Sequence, residues 1–122
     1  MKEPYIYRCV LDRVVDGDTI KCDIDLGFNV ILFSQTIRLA GIDAPESRCR
    51  RPIEKKKGLA AKDRLIDLMS EEFTMKSLGR GKFGRIIGIP YVEEKDICQT
   101  LIDEGHAVAY FGGKKTKKWD EE

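Results

Sequence analysis

Between Ile6 and Ala40 the chain carries three strand-like runs with almost nothing between them, and the first junction is Asp16-Gly17-Asp18. Residues 6–15 (IYRCVLDRVV) are rich in β-branched and aromatic side chains. Residues 19–26 (TIKCDIDL) alternate, with Ile20, Cys22, Ile24 and Leu26 on one face and Lys21, Asp23 and Asp25 on the other. That is the pattern of a half-buried antiparallel strand. Residues 30–40 (VILFSQTIRLA) form a third strand with a bend or bulge at Ser34-Gln35-Thr36. Short connections make the three a meander. Strands disfavour Asp and Gly, so the acidic break needs compensation. Gly17 can permit a turn, and a cation can draw the aspartates together.

The rest of the chain is read from periodicity and punctuation. Residues 41–57 (GIDAPESRCRRPIEKKK), with two prolines and much charge, predict a long exposed loop. Residues 58–70 predict a helix whose core stripe is Ala61, Leu65, Leu68 and Met69. Two strands follow at 73–79 and 84–92, joined by a Gly-rich basic turn. A second helix is expected at 96–104, with Asp96 as N-cap and Gly105 as its stop. Residues 106–112 add a short extended piece, and 113–122 form a charged, flexible tail in which Trp119 is either loose or docked on the core. The order βββ–α–ββ–α predicts an α+β, mainly β domain over residues 1–112. Its architecture is a five-stranded Greek-key barrel of the OB type with two helices, and an α+β sandwich is the alternative.

Net charge is only +1, but fourteen of the 22 basic residues fall in three short stretches, six in 48–57, four in 76–85 and four in 114–118. Such clusters create local positive fields that suit an anionic ligand. The four cysteines (Cys9, Cys22, Cys49, Cys98) form no CxxC pair or zinc spacing, which implies reduced thiols. The N-terminus has no apolar core of a signal peptide, and no 18-residue apolar run occurs. The expectation is therefore a cytoplasmic chain with no membrane partner, although a chain shorn of its leader would read the same way.

The chemistry-bearing residues gather at strand ends. IRLAGIDAPES supplies Arg38, Asp43 and Glu46 at the end of the third strand. A meander brings Asp16, Asp18 and Asp43 together, where carboxylates repel unless a cation intervenes. A hard divalent ion with oxygen ligands resolves the repulsion. Arg38 sits within an apolar strand, where an unpaired charge is costly, and Arg85 follows Gly84 in GKFGR. Guanidinium forks suit phosphate oxygens. Two arginines, a dication and a carboxylate such as Glu46 that takes a proton from water or orients it form a set for phosphodiester hydrolysis.

VVDGDTI, IRLAGIDAPE, GKFGR and LIDEGHA, taken in order, resemble the successive signatures of the staphylococcal nuclease (thermonuclease-like) family, over roughly residues 6–111. The resemblance implies an OB-fold and calcium-dependent cleavage of DNA and RNA with little sequence specificity, leaving 3′-phosphate ends. By residue, it implies Asp18, Asp43 and the Ala44 carbonyl as calcium ligands, with Asp16 acting through water. It implies Glu46 as general base or water-positioning group, Arg38 and Arg85 on the scissile phosphate, and Lys82 on the neighbouring phosphate. Ala44 and Phe83 stand where the best-known member has threonine and tyrosine; Phe83 keeps a stacking surface but loses a polar contact. Tyr110 matches the tyrosine beneath the nucleotide base if one gap is allowed. The competing classes are a non-catalytic nucleic-acid-binding barrel and a protein-interaction module. The full set Asp18, Asp43, Glu46, Arg38 and Arg85 favours the enzyme. DNA or RNA is the expected partner of a monomeric chain.

Overall fold

The computed structural model describes residues 5–81, 84–110 and Trp119. The elements run β1 (Ile6–Asp16), β2 (Thr19–Asp25), β3 (Ile31–Leu39), β4 (Ile42–Asp43), α1 (Pro52–Leu68), β5 (Glu72–Arg80), β6 (Ile86–Val92), β7 (Lys95–Asp96), α2 (Ile97–Asp103) and β8 (Val108–Ala109). The three leading strands form the expected meander, and β1 also pairs with β5, which in turn pairs with β6. A parallel contact of β6 with β3, through Ile37↔Ile86, Arg38↔Ile87 and Leu39↔Gly88, closes five strands into a barrel. Closure removes most free strand edges. The expected α+β barrel with two helices is therefore the observed fold. The predicted tail lies outside the described residues except at Trp119.

Alternation explains the core. Cys9 and Val14 of β1, Ile20, Cys22 and Ile24 of β2, Ile37 and Leu39 of β3, and Phe73 and Met75 of β5 all point into one buried cluster. Leu65 and Met69 from the α1 region and Ile97 and Leu101 of α2 close its ends. Leu26 leaves the inward face predicted for it: β2 ends at Asp25, and Leu26 is exposed. The predicted bulge in β3 is present. Phe33 and Ser34 stand opposite the single residue Asp23, whose Oδ1 accepts the Ser34 N–H at 2.8 Å.

The largest departure is α1. It begins at Pro52, six residues before the predicted start, so part of the expected exposed loop is helix. Proline suits the first helical position, where its missing N–H has no intrahelical partner to lose. Gly58, read as the helix start, lies inside it. A Cβ there would sit 2.4 Å from the carbonyl carbon and oxygen of Glu46 and 2.5 Å from the Ser47 nitrogen. Only glycine lets the helix backbone approach the 46–47 segment this closely. The α2 prediction holds: the Asp96 side chain caps it by accepting the Gln99 N–H at 3.0 Å. Arg64 of α1 grips Glu104 at the end of α2 through two bonds of 2.6 and 2.8 Å. No helix among the described residues is long and apolar enough to cross a membrane.

Candidate functional site

The β1–β2 turn holds the first two aspartates. Gly17 is needed there for packing. Its φ is not in the left-handed region, but a Cβ would meet the Ala61 Cβ at 2.8 Å and the Ala44 Cβ at 3.1 Å. The turn is thus pressed between helix α1 and the segment after β4. Both flanking carboxylates turn onto that segment. Asp16 Oδ1 accepts the Gly17 N–H at 3.0 Å and the Ser47 N–H at 3.1 Å. Asp18 Oδ2 accepts the Ala44 N–H at 3.2 Å, and its Oδ1 accepts the Thr19 hydroxyl at 3.0 Å. Carboxylates that accept backbone N–H groups form strong, charge-assisted bonds. Two of the acids expected around a cation therefore also shape the loop that carries Asp43, Ala44 and Glu46.

Arg38 lies on β3 between inward-facing Ile37 and Leu39, so its side chain leaves the core. The guanidinium donates to the Leu39 carbonyl at 3.0 Å and the Ile42 carbonyl at 2.8 Å, and it lies 3.5 Å from Asp18 Oδ2. The side chains of Asp18 and Arg38 are both 14% exposed, which weakens solvent screening of the pair. Arg85 directly precedes Ile86, which pairs with Ile37, so it enters the barrel wall beside the strand carrying Arg38. Its Nε is buried with no hydrogen-bond partner among the described residues. A buried unpaired donor costs about 1–3 kcal/mol, and an oxygen ligand would relieve it.

Asp43 is 4% exposed, and its Oδ2 accepts the indole N–H of Trp119 at 3.4 Å. Trp119 is itself buried, so of its two expected placements the docked one is observed. The pairing of β4 with β8, Ile42↔Ala109 and Asp43↔Val108, brings Tyr110 alongside, and its N–H donates to the Gly41 carbonyl at 2.8 Å. Glu46 is exposed, while its backbone N–H is held by Glu54 Oε2 at 3.3 Å. Glu54 is buried in the first turn of α1, and its Oε1 takes the Arg51 guanidinium at 2.6 Å. The positions of Lys82 and Phe83 lie outside the described residues.

Sequence reasoning missed Glu54, Ser47 and the packing roles of Gly17 and Gly58. Glu54 was hidden in a charge run; a proline followed two residues later by an acid was the signal that could have exposed it as a helix first turn. Among the described residues, no three His, Cys, Asp or Glu side chains are grouped as metal ligands. What the site does offer is hard oxygen donors: Asp18 bonded to the N–H of Ala44, one peptide from Asp43. That donor chemistry fits a hard cation such as calcium. All four cysteines are free. Burial pushes the Cys98 thiol up to about 12, and a hydrogen bond with Cys9, with burial, pushes Cys22 upward.

A family model described as "Staphylococcal nuclease homologue" matches residues 36–122. The chain belongs to that family. Among curated relatives, this staphylococcal nuclease homologue is 37% identical over 117 residues to the SPbeta prophage-derived endonuclease YokF of Bacillus subtilis (strain 168), covering 91% of this chain and 37% of YokF. It is 32% identical over 125 residues to Endonuclease YncB of the same organism, covering 95% of this chain and 54% of YncB. The chain thus spans about half of YncB and less of YokF.

Proposed function

We propose that this chain is a calcium-dependent nuclease that hydrolyses phosphodiester bonds of DNA or RNA with little sequence preference and leaves 3′-phosphate ends. Family membership and the endonuclease names of two relatives support the reaction class. The observation that carries the reading is the junction at Ala44. There Asp18, bound to the Ala44 N–H, meets Arg38 beside the loop of Asp43 and Glu46.

Asp18, Asp43 and the Ala44 carbonyl would hold the ion, with Asp16 acting through water. Bound there, the ion would neutralise charge on the phosphate and draw its oxygens into the site. The chain's own groups do the rest. Glu46, on a loop whose backbone is fixed by Glu54 and Asp16, takes a proton from the attacking water or orients it. Arg38 is already aimed by two carbonyls, so little side-chain freedom is lost when it meets a phosphate. Arg85 supplies a buried donor that wants an oxygen, as a pentacoordinate phosphorane presents. Lys82, Phe83 and Tyr110 are the proposed contacts to the neighbouring phosphate and base.

The test is cleavage of denatured plasmid in calcium and in chelator, with analysis of product ends, for the native chain and Glu46→Gln. Cutting in calcium alone, 3′-phosphate products and a rate reduced by orders of magnitude in Glu46→Gln, with oligonucleotide binding intact, are expected. Undiminished cutting in chelator refutes the metal role, and unchanged turnover of the variant removes Glu46 from the chemistry. Absence of cutting in both conditions supports a non-catalytic binder.

A further inference from the structure

The outer face of β3, β2, β1, β5 and β6 carries a cleft of about 990 Å³, lined by none of the residues assigned above to catalysis or metal binding. Exposed apolar side chains of β1 and β3 stand on it, with Asp23 and Asp25 of β2 between them. Ile6 is 54% exposed, Val10 44%, Ile31 44% and Phe33 67%. A sheet normally buries such side chains against another layer, so four of them exposed on one face point to an interaction surface.

Its charge is opposite to that of the basic segments. Asp23, Asp25, Glu72, Glu93 and Glu94 line it, against the two bases Arg8 and Lys76. Strand register organises these charges. Val10 stands between Asp23 on one neighbouring strand and Glu72 on the other, and Arg8 opposes Asp25. At the far rim, Glu93 and Glu94 occupy the β6–β7 turn with φ of +52° and +67°, a conformation that usually selects Asn or Gly. A nucleic acid would be repelled by this surface, whereas a cationic apolar segment is complementary to it. A helix cylinder about 10 Å across occupies on the order of 120 Å³ per residue, so the cleft accommodates about two turns.

We propose that this face docks a basic amphipathic helix of a partner protein, its apolar side chains against Val10, Ile31 and Phe33 and its lysines or arginines on Asp23 and Asp25 between them and on Glu72, Glu93 and Glu94 at the other side. The probe is a 15-residue helical peptide with a leucine stripe and lysines on its other faces. Its control has every lysine replaced by glutamate. Calorimetry with the whole chain should show binding of the lysine peptide that weakens with salt, and no binding of the control. Phe33→Ser and the double variant Glu93→Lys, Glu94→Lys should each weaken binding at least tenfold while leaving nucleic-acid cleavage unchanged. Amide shifts should map to β1, β2, β5 and the start of β3. Equal binding of both peptides, variants that bind like the native chain, or shifts mapping elsewhere would overturn the proposal. So would self-association abolished by Phe33→Ser, which would make a second copy the occupant.

Discussion

Replacing Gly58 by alanine sets two known quantities against each other. Inside an exposed helix, Gly→Ala stabilises by about 0.8–1 kcal/mol, because alanine loses less backbone freedom on folding. Here the new methyl would lie 2.4 Å from the Glu46 carbonyl group and 2.5 Å from the Ser47 nitrogen. Those are backbone atoms, and they cannot rotate aside. Nor is the segment free to drift, since Asp16 holds the Ser47 N–H at 3.1 Å and Glu54 holds the Glu46 N–H at 3.3 Å. Relieving the overlap means separating α1 from the 46–47 segment by about 1 Å, and overpacking of this kind costs about 1–3 kcal/mol. After the helix gain is subtracted, the net destabilisation is about 0–2 kcal/mol, a fall in Tm of up to roughly 10 °C for a domain of this size. The effect on cleavage should exceed the effect on stability, because a 1 Å displacement of a catalytic group can cost about a hundredfold in rate. Thermal melting and cleavage of denatured DNA in calcium, both measured well below Tm for the rate, read the two quantities. A variant that melts at or above the native temperature and cuts at the native rate would refute the argument, because it would mean that helix propensity outweighs the contact.

Arg38→Lys keeps the charge but loses the planar fork that binds the Leu39 and Ile42 carbonyls; cleavage should fall at least tenfold, and a near-native rate would make the fork dispensable. Trp119 is the only tryptophan and donates to Asp43, so calcium titration should change its fluorescence, and Asp43→Asn should abolish that response; a silent titration would separate Asp43 from the ion. Hydrogen bonds from Arg64 lower the pKa of Glu104 below its ordinary value. The carboxylate therefore contributes stability that is fully present above about pH 4.3, the unfolded value, and is lost as pH falls through the lowered folded value. Urea melts of the native chain and Glu104→Gln should differ by a constant amount at neutral pH and converge in acid; a gap that persists in acid would refute the linkage.

What was legible in the sequence was what local pattern encodes. The alternation of Ile20, Cys22 and Ile24 gives the inward face of β2, the polar break at Ser34 marks the bulge of β3, and Asp96 with Gly105 brackets α2. What was not legible depends on partners distant in the chain. The barrel closes through a parallel contact of three residue pairs between β3 and β6, too short to leave a periodic trace. Gly17 looked like a turn-former, but the atom that forbids a side chain there belongs to Ala61, on another element. Residues 48–57 looked like solvated charge because Lys and Arg dominate the count, yet Pro52 starts a helix there and Glu54 is buried in its first turn.

The same limit applies to the acids of the β1–β2 turn. From sequence, Asp16 and Asp18 needed a cation to justify their place at a strand end. In the fold each already has compensation: Asp16 from the Gly17 and Ser47 N–H groups, Asp18 from the Ala44 N–H, the Thr19 hydroxyl and the nearby Arg38 guanidinium. The loop bearing Asp43 and Glu46 can therefore be ordered before any ion arrives. Preorganisation of that kind lowers the entropic cost of binding and of reaction, because the carboxylates are positioned when the protein folds. It also separates two roles that mutation would otherwise confuse. Asp16→Asn keeps an acceptor oxygen for the loop amides while removing the charge, so its melting temperature and its calcium affinity should both stay near native if Asp16 acts chiefly as a clamp. A large fall in calcium affinity at unchanged Tm would instead assign Asp16 to the ion's surroundings, and both quantities can be measured on the same sample.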